Sequence, residues 1–239
     1  MAQTQYPDPV LSLCWSPTNG ASTSLICGCG DGSIKVWDAV KNQSTAIGKH
    51  QKAIGKVDFV NDDKQVLAMS YNNILALWDG RTNMPVFQLP FNNDFHPTYM
   101  THFGPFIAVL AAEHKVGITS LNALHTTQKL YFEDIIENKL KKSYSSFEGF
   151  TGNFTPENPN GYIIGNIEGR CEVRQFIATY GQLKDDKNEK VNFTFKAHSE
   201  GTDNFGVNTV SYNKGFGTFI TGVFDYIGWR WKSIYLGQK

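Results

Sequence analysis

The 239-residue sequence lacks a charge of one dominant sign, because 22 lysine and arginine residues balance 22 aspartate and glutamate residues. This balance excludes a protein-wide basic field that would draw the chain to nucleic acid, so any contact with RNA has to be a local patch. No apolar run approaches the roughly 18 residues of a membrane-spanning helix. Residues 1–9 are polar. We therefore expect no membrane span and no secretory signal.

Cysteine is also scarce, and the chain shows little sign of catalytic chemistry. Its four cysteines and six histidines form no compact metal-ligand spacing. The glycine-rich run at 28–32 precedes a predicted strand rather than the helix that a phosphate loop requires, so it indicates a hairpin turn. No Gly-x-Ser-x-Gly motif occurs. We expect free thiols, no metal, no cofactor and no enzymatic activity.

A repeated segment is the most informative feature that is present. Trp37-Asp38 recurs as Trp78-Asp79, 41 residues later, and each pair ends an apolar run that follows a turn. The turn contains Asp31-Gly32 in the first copy and Asn72-Asn73 in the second. A period of about 40 to 45 residues that ends in Trp-Asp is typical of a four-stranded propeller blade.

The remaining sequence extends this pattern less regularly, with strand-like apolar runs separated by turn residues. We predict an all-β WD-repeat propeller as a single domain over residues 1–239, with about five blades and a short helix within residues 132–144. The predicted blades cover residues 8–45, 50–90, 95–125, 128–178 and 190–234.

Several residues are predicted to stabilise the blades rather than bind a partner. Trp37 and Trp78 should be large buried rings. His50 should form a buried hydrogen-bond chain with Ser70 and Trp78, because buried polar atoms need partners. Asp31, Asp38 and Asp79 complete the predicted structural set, whereas Asn72 occupies the turn position where an acid is expected.

Four strings go beyond a generic repeat. The sequence reads Asn-Met-Pro-Val-Phe-Gln-Leu-Pro at 83–90, Ile-Glu-Gly-Arg at 167–170, Phe-Lys-Ala-His at 195–198 and Val-Asn-Thr-Val-Ser-Tyr at 207–212. Together they resemble the nuclear mRNA export WD-repeat family (the Rae/Gle class). The spindle-checkpoint WD-repeat family shares the second and third strings. The resemblance covers most of residues 8–222.

This resemblance implies a seven-bladed scaffold without catalysis that docks a short nucleoporin motif. It further implies work at the nuclear pore and in the cytoplasm, with messenger ribonucleoprotein as a partner. Seven blades need about 280 residues, so the chain is incomplete relative to that family. Carried onto this sequence, Arg170 and Lys196 are the candidate contacts for an acidic or phosphorylated peptide, with Glu168 in the adjoining turn. The alternative is that Arg170 simply follows a turn and faces water.

Two other functions stay open. One is a checkpoint scaffold that binds kinase or kinetochore peptides. The other is direct RNA binding through a local cluster of Lys139, Lys141 and Lys142, which also suits a solvated helix face.

Overall fold

The structure is a computed structural model, and it shows an all-β chain. It describes residues 3–16, 23–60, 65–82, 84–112, 115–121, 131–134, 144–150, 160–179, 182–185, 192–213, 217–225 and 228–235. Of the described residues, those up to Met100 belong to one compact unit and those from Thr101 onward belong to a second. The fold class, an all-β WD-repeat propeller, is confirmed at the level of its blades.

The first unit contains two antiparallel four-stranded sheets, which we name blade 1 and blade 2. Blade 1 consists of β1 (Val10–Trp15), β2 (Ser24–Cys29), β3 (Ser33–Asp38) and β4 (Gln43–Lys49). Blade 2 consists of β5 (Ile54–Val60), β6 (Gln65–Ser70), β7 (Ile74–Asp79) and β8 (Met84–Pro90). Each strand pairs with the next along the chain, as in a meander.

A third four-stranded sheet, blade 3, begins at the end of the first unit and continues in the second. Its strands are β9 (Pro97–Phe103), β10 (Phe106–Ala111), β11 (Lys115–Ser120) and β12 (Tyr131–Asp134). A short helix is predicted within residues 132–144, but residues 132–134 lie in strand β12 and Tyr144 begins the next strand. Residues 135–143 lie outside the described part of the chain.

The second unit also contains blades 4 and 5. Blade 4 has five strands: β13 (Tyr144–Phe150), β14 (Asn160–Asn166), β15 (Arg170–Thr179), β16 (Gln182–Asp185) and β17 (Phe193–Lys196). Both β16 and β17 pair with β15. A two-residue-per-strand hairpin follows, formed by β18 (Ser199–Glu200) and β19 (Asp203–Asn204). Blade 5 consists of β20 (Thr209–Asn213), β21 (Thr218–Asp225) and β22 (Gly228–Tyr235).

These pairings move two of the blade boundaries drawn from the sequence. Residues 131–134 pair with β11 and therefore end blade 3 rather than open blade 4. Phe193–Lys196 pairs with β15 and therefore completes blade 4 rather than opening blade 5.

The second strand of each of the first four blades is buried along almost its whole length. This explains the continuous apolar runs in β2, β6, β10 and β14, which are covered on both faces. The last strands of blades 1 and 2, β4 and β8, are mostly exposed. The central strands therefore supply most of the core.

Each unit has a core between successive blades. In the first unit, Ile26 and Ile34 of blade 1 pack against Ile54, Val57 and Trp78 of blade 2. In the second unit, Ile163, Cys171 and Val173 of blade 4 pack against Val210 and Phe219 of blade 5. The same sheet-on-sheet packing thus stabilises both pairs of blades.

Candidate peptide-binding site

The turn between β14 and β15 fixes the backbone of the predicted site. Gly169 has a φ of +73°, and a Cβ there would lie 2.3 Å from the carbonyl oxygen of His198, so glycine is required. The side-chain oxygen of Asn166 accepts hydrogen bonds from the backbone N–H of Glu168 (3.1 Å) and of Arg170 (2.9 Å). Asn166 is fully buried. Arg170 therefore enters β15 from a rigid turn.

The structure brings Arg170 and Lys196 together. They are directly opposite each other on the antiparallel strands β15 and β17, so their side chains leave the same face of the sheet. Arg170 is half-buried and Lys196 is exposed. Within the described residues, no acidic group forms an ion pair with either of them. Glu168 lies half-buried in the turn that precedes Arg170.

A buried ion pair lies on the same face of β15, below these two cations. The Nε–H of Arg174 donates to Glu172 Oε1 over 2.9 Å, and both side chains are about nine-tenths buried. Burial and the nearby Glu172 charge raise the pKa of Tyr144 to about 12, so this phenol stays protonated. Sequence reasoning missed the pair, although Arg174 stands where blades 1 and 2 have tryptophan.

The predicted buried chain of blade 2 is present. Trp78 Nε1–H donates to His50 Nε2 over 3.2 Å, and His50 Nδ1 lies 2.9 Å from Ser70 Oγ. The Ser70 hydroxyl donates to Asn72 Oδ1. His50, Ser70 and Trp78 are all buried, and burial lowers the pKa of His50 to about 4. These hydrogen bonds connect His50 to strands β6 and β7.

The three aspartates of the structural set organise turns. Asp31 Oδ1 accepts from the backbone N–H (2.9 Å) and hydroxyl (2.6 Å) of Ser33. Asp38 Oδ1 accepts from the N–H of Val40 and of Lys41, each at 3.0 Å. Asp79 accepts from the Arg81 side chain and backbone, and these hydrogen bonds lower its pKa to about 2. Each carboxylate thus replaces missing backbone partners in its turn.

The prediction that Trp37 is a large buried ring is wrong, because Trp37 is only half-buried. Its ring packs on Leu25, Cys27 and Cys29, and its Nε1–H reaches the side chain of Asn42 at 3.3 Å. On the same face of blade 1, Leu13 and Trp15 are 55% and 57% exposed. The equivalent face of blade 2 is buried against blade 1, which explains why Trp78 is covered and Trp37 is not.

Metal binding, membrane crossing and RNA binding were also considered from the sequence. No group of three or more His, Cys, Asp or Glu side chains there is arranged to hold a metal ion. Among the same residues, no helix is long and apolar enough to cross a bilayer. Lys139, Lys141 and Lys142, the alternative RNA contact, lie outside the described part of the chain.

The repeated four-stranded sheets, their turns and the His50–Trp78 hydrogen bond are features of WD-repeat blades. Comparison with known families agrees, because the model described as "WD domain, G-beta repeat" matches residues 3–38.

Among known proteins, the chain is 27% identical over 228 residues to the "Poly(A)+ RNA export protein" of Schizosaccharomyces pombe, covering 92% of this chain and 58% of the relative. It is 26% identical over 234 residues to "mRNA export factor rae-1" of Caenorhabditis elegans, covering 92% of this chain and 57% of the relative. It is 23% identical over 229 residues to "Mitotic checkpoint protein bub3" of Dictyostelium discoideum, covering 93% and 62%. These matches confirm the resemblance to both WD-repeat families, and the chain spans less than two thirds of the length of these relatives.

Proposed function

We propose that this chain is a non-enzymatic interaction scaffold for mRNA export, and that blade 4 docks a short acidic or phosphorylated nucleoporin-type motif. The observation that carries the proposal is the Arg170–Lys196 pair, directly opposed on β15 and β17. The names of the RNA export relatives support the process.

Two like charges opposite each other in a sheet destabilise it. Arg170 and Lys196 nevertheless stand together without an acidic partner among the described residues. An anionic side chain placed between them removes this repulsion and gains two charge-assisted hydrogen bonds. The arrangement is thus better suited to the bound state than to the free state.

The two cations have different chemistry. The guanidinium of Arg170 offers a planar fork that matches two oxygens of a carboxylate or phosphate, whereas Lys196 supplies a mobile point charge. The backbone N–H of Arg170 donates to the side-chain oxygen of Asn166, and this hydrogen bond fixes the backbone position from which the Arg170 side chain extends. A phosphorylated side chain has three terminal oxygens, enough for both cations at once.

The proposal carries further parts. Partners are a nucleoporin-type peptide and messenger ribonucleoprotein, and the protein works at the nuclear envelope and in the cytoplasm. It needs no cofactor and no membrane span for this role.

The test is binding of a short synthetic nucleoporin-type acidic peptide, and of the same peptide with one phosphothreonine, to the full 239-residue chain. Arg170→Ala should cost about 2 to 5 kcal/mol of affinity if the charge pair is desolvated in the complex, and little if it stays at the rim. Arg170→Lys tests the fork, because it keeps the charge and loses the planar geometry. Lys196→Ala removes the second cation.

Lys52→Ala is the matched control, because Lys52 is an exposed lysine of the other unit. The free energy of unfolding should hardly change in any of these variants. If the parent binds well and Arg170→Ala and Lys196→Ala bind equally well, the site is wrong. No binding by the parent contradicts the docking function itself.

The checkpoint relative favours a second candidate: a scaffold of the same architecture that binds checkpoint-kinase or kinetochore peptides. The same cations would serve there, so peptide affinity does not separate the two. Recovery of partners on the immobilised chain from nuclear extract does, since export factors and kinetochore proteins are different sets. An Arg170→Ala column is the control for partners that reach the chain elsewhere.

A further inference from the structure

Blade 2 shows how one face of a blade in this chain receives a neighbouring sheet. A row of three apolar residues crosses β5, β6 and β7 at directly opposed positions, Phe59, Val66 and Trp78. Directly opposed residues project from the same side of a sheet. All three are at most 5% exposed, because they share a core with Ile26 and Ile34 of blade 1. The row is therefore covered by a second sheet.

Blade 1 has the same kind of row, but part of it faces solvent. The corresponding opposed residues of β1, β2 and β3 are Trp15, Leu25 and Trp37. Trp15 is 57% exposed and Trp37 is half-buried. Leu13, two residues before Trp15 and therefore on the same side of β1, is 55% exposed. This face of blade 1 has the residues of an interface between sheets, yet its β1 side is open.

The N-terminal segment covers the β2–β4 side of this face. Tyr6 packs on the cluster that contains the buried Cys27 and Cys29. Its hydroxyl lies 2.8 Å from Ser44 Oγ on β4, and Lys35 Nζ lies 4.5 Å from the centre of its ring. The exposed remainder is an apolar strip along β1, which we name the β1 strip and which consists of Val10, Leu13 and Trp15.

The β1 strip is the densest group of exposed apolar side chains in the described residues. Of the eleven large hydrophobic side chains exposed there, four lie on β1, and no other described strand has more than two. β1 carries no charged residue, so its face offers nothing to an acidic or basic partner. A second copy of the chain brings an equally apolar strip. Because the formal net charge is zero, two copies do not repel each other as a whole.

The size of the face determines how strong a contact between two copies can be. A sheet of four strands about 4.8 Å apart, with six residues that rise about 3.3 Å each, has a face of roughly 400 Å². Two such faces bury on the order of 800 to 1,000 Å² in total, against about 1,600 Å² for a standard interface. An interface of this size suits a reversible, concentration-dependent dimer in the micromolar range.

We infer that two copies of this chain associate through the β1 strips of their first blades, about a two-fold axis that packs Leu13 and Trp15 of one copy against the same strip of the other. A two-fold contact uses the same patch on both copies and closes at two. The packing of one blade face on another already occurs within the chain, between blades 1 and 2. The contact does not involve the peptide site proposed on blade 4.

The test is sedimentation velocity of the full 239-residue chain between about 1 and 200 µM, where a contact of this size should convert monomer to dimer. The double variant Leu13→Ser, Trp15→Ser should raise the dissociation constant at least about tenfold, because it removes most of the apolar surface that the strips bury. Both side chains are more than half exposed in the single chain, so the double variant should fold.

Met84→Ser is the matched control, because Met84 is a 68% exposed side chain on β8 of blade 2. It should dimerise like the parent. Thermal unfolding at the lowest concentration checks that each variant is folded. If the double variant does not fold, Leu13→Ser and Trp15→Ser are measured singly, and each should weaken the dimer about threefold or more.

Three outcomes would overturn the inference. A parent that stays monomeric across the whole range has no such contact. Association that the double variant retains at full strength uses another surface. Species that continue to grow beyond the dimer indicate a head-to-tail contact between two different surfaces, because a two-fold contact cannot extend further.

Discussion

The indole N–H of Trp78 donates to Nε2 of His50 across 3.2 Å, so that ring nitrogen has to be unprotonated. The proton of the neutral imidazole then sits on Nδ1 and is donated to Ser70 Oγ, 2.9 Å away. The Ser70 hydroxyl in turn donates a hydrogen bond to Asn72 Oδ1. One tautomer therefore satisfies the whole chain, and a second proton on His50 would break the bond to Trp78.

Blade 2 should consequently lose stability in mild acid. Burial lowers the pKa of His50 to about 4 in the folded protein, whereas an unfolded histidine titrates near about 6.5. The unfolded state thus binds a proton first as pH falls, so the His50 contribution is complete above about pH 6.5 and is lost towards about pH 4. Urea unfolding across this window should show a loss of up to roughly 3 kcal/mol from this group.

Two variants isolate this effect from the other titrating groups. His50→Gln removes the group, so its stability should vary less with pH over the same window. Asn72→Asp gives the chain the acid that the turn position lacks, and a carboxylate there should raise the pKa of His50 and flatten the profile. Equally steep profiles for the parent and His50→Gln would contradict the assignment.

Local pattern was sufficient to predict much of blades 1 and 2. The strands Ile54–Val60 and Gln65–Ser70 are apolar runs bounded by turn residues, which is the pattern from which strands are predicted. The opposition of Arg170 and Lys196 is a different case. The resemblance pointed to both residues, but only the pairing of β15 with β17 places them opposite each other. The connection between these two strands is too long for turn rules to predict that they pair.

Other features depended on what covers a face, which the sequence does not state. Trp37 and Trp78 stand in matching segments, yet only the ring of Trp78 has a neighbouring blade packed over it. The Glu172–Arg174 pair was missed for a related reason: two charges at an interval of two normally indicate a solvated face, and only the packing of blade 4 shows that this face is buried.

The two tryptophans should differ in their contribution to stability. Trp78 is 4% exposed and lies within the core between blades 1 and 2, so Trp78→Ala should cost about 3 to 5 kcal/mol. Trp37 is half-buried, so Trp37→Ala should cost roughly half as much, because less apolar surface is returned to water. Urea unfolding of both variants at the same pH gives the comparison. Equal losses would mean that the face of Trp37 is covered in solution.

The turn glycines provide a separate test of close packing. A Cβ at Gly32 would lie 2.3 Å from the carbonyl oxygen of His50, and one at Gly169 would lie 2.3 Å from that of His198. Gly201 and Gly217 also have positive φ, of +59° and +60°, but a Cβ at either would meet nothing within 4 Å. They are matched controls that carry the backbone cost without the clash.

Alanine at Gly201 or Gly217 should therefore cost about 1 to 2 kcal/mol, the usual penalty of the left-handed conformation. Alanine at Gly32 or Gly169 should cost a further ~1 to 3 kcal/mol, because backbone oxygens have to move. Thermal or urea unfolding of the four variants measures the difference. A single common cost would show that conformation alone explains the glycines.

The Arg170–Lys196 pair predicts that removing a charge stabilises the free protein. Lys196→Gln removes the positive charge but keeps a polar side chain, and it relieves the repulsion of directly opposed like charges, so it should raise the free energy of unfolding by up to about 0.5 kcal/mol. The gain should shrink between about 50 and 500 mM salt, because both groups reach solvent and are screened. Lys52→Gln, at an exposed lysine of the other unit, should give no such gain.

The phosphothreonine peptide should raise the melting temperature of the parent more than that of Lys196→Gln, since only the parent has a repulsion for the ligand to remove. If Lys196→Gln is less stable than the parent at both salt concentrations, Lys196 has a favourable partner in the free protein, and the two cations are not held ready for an anion.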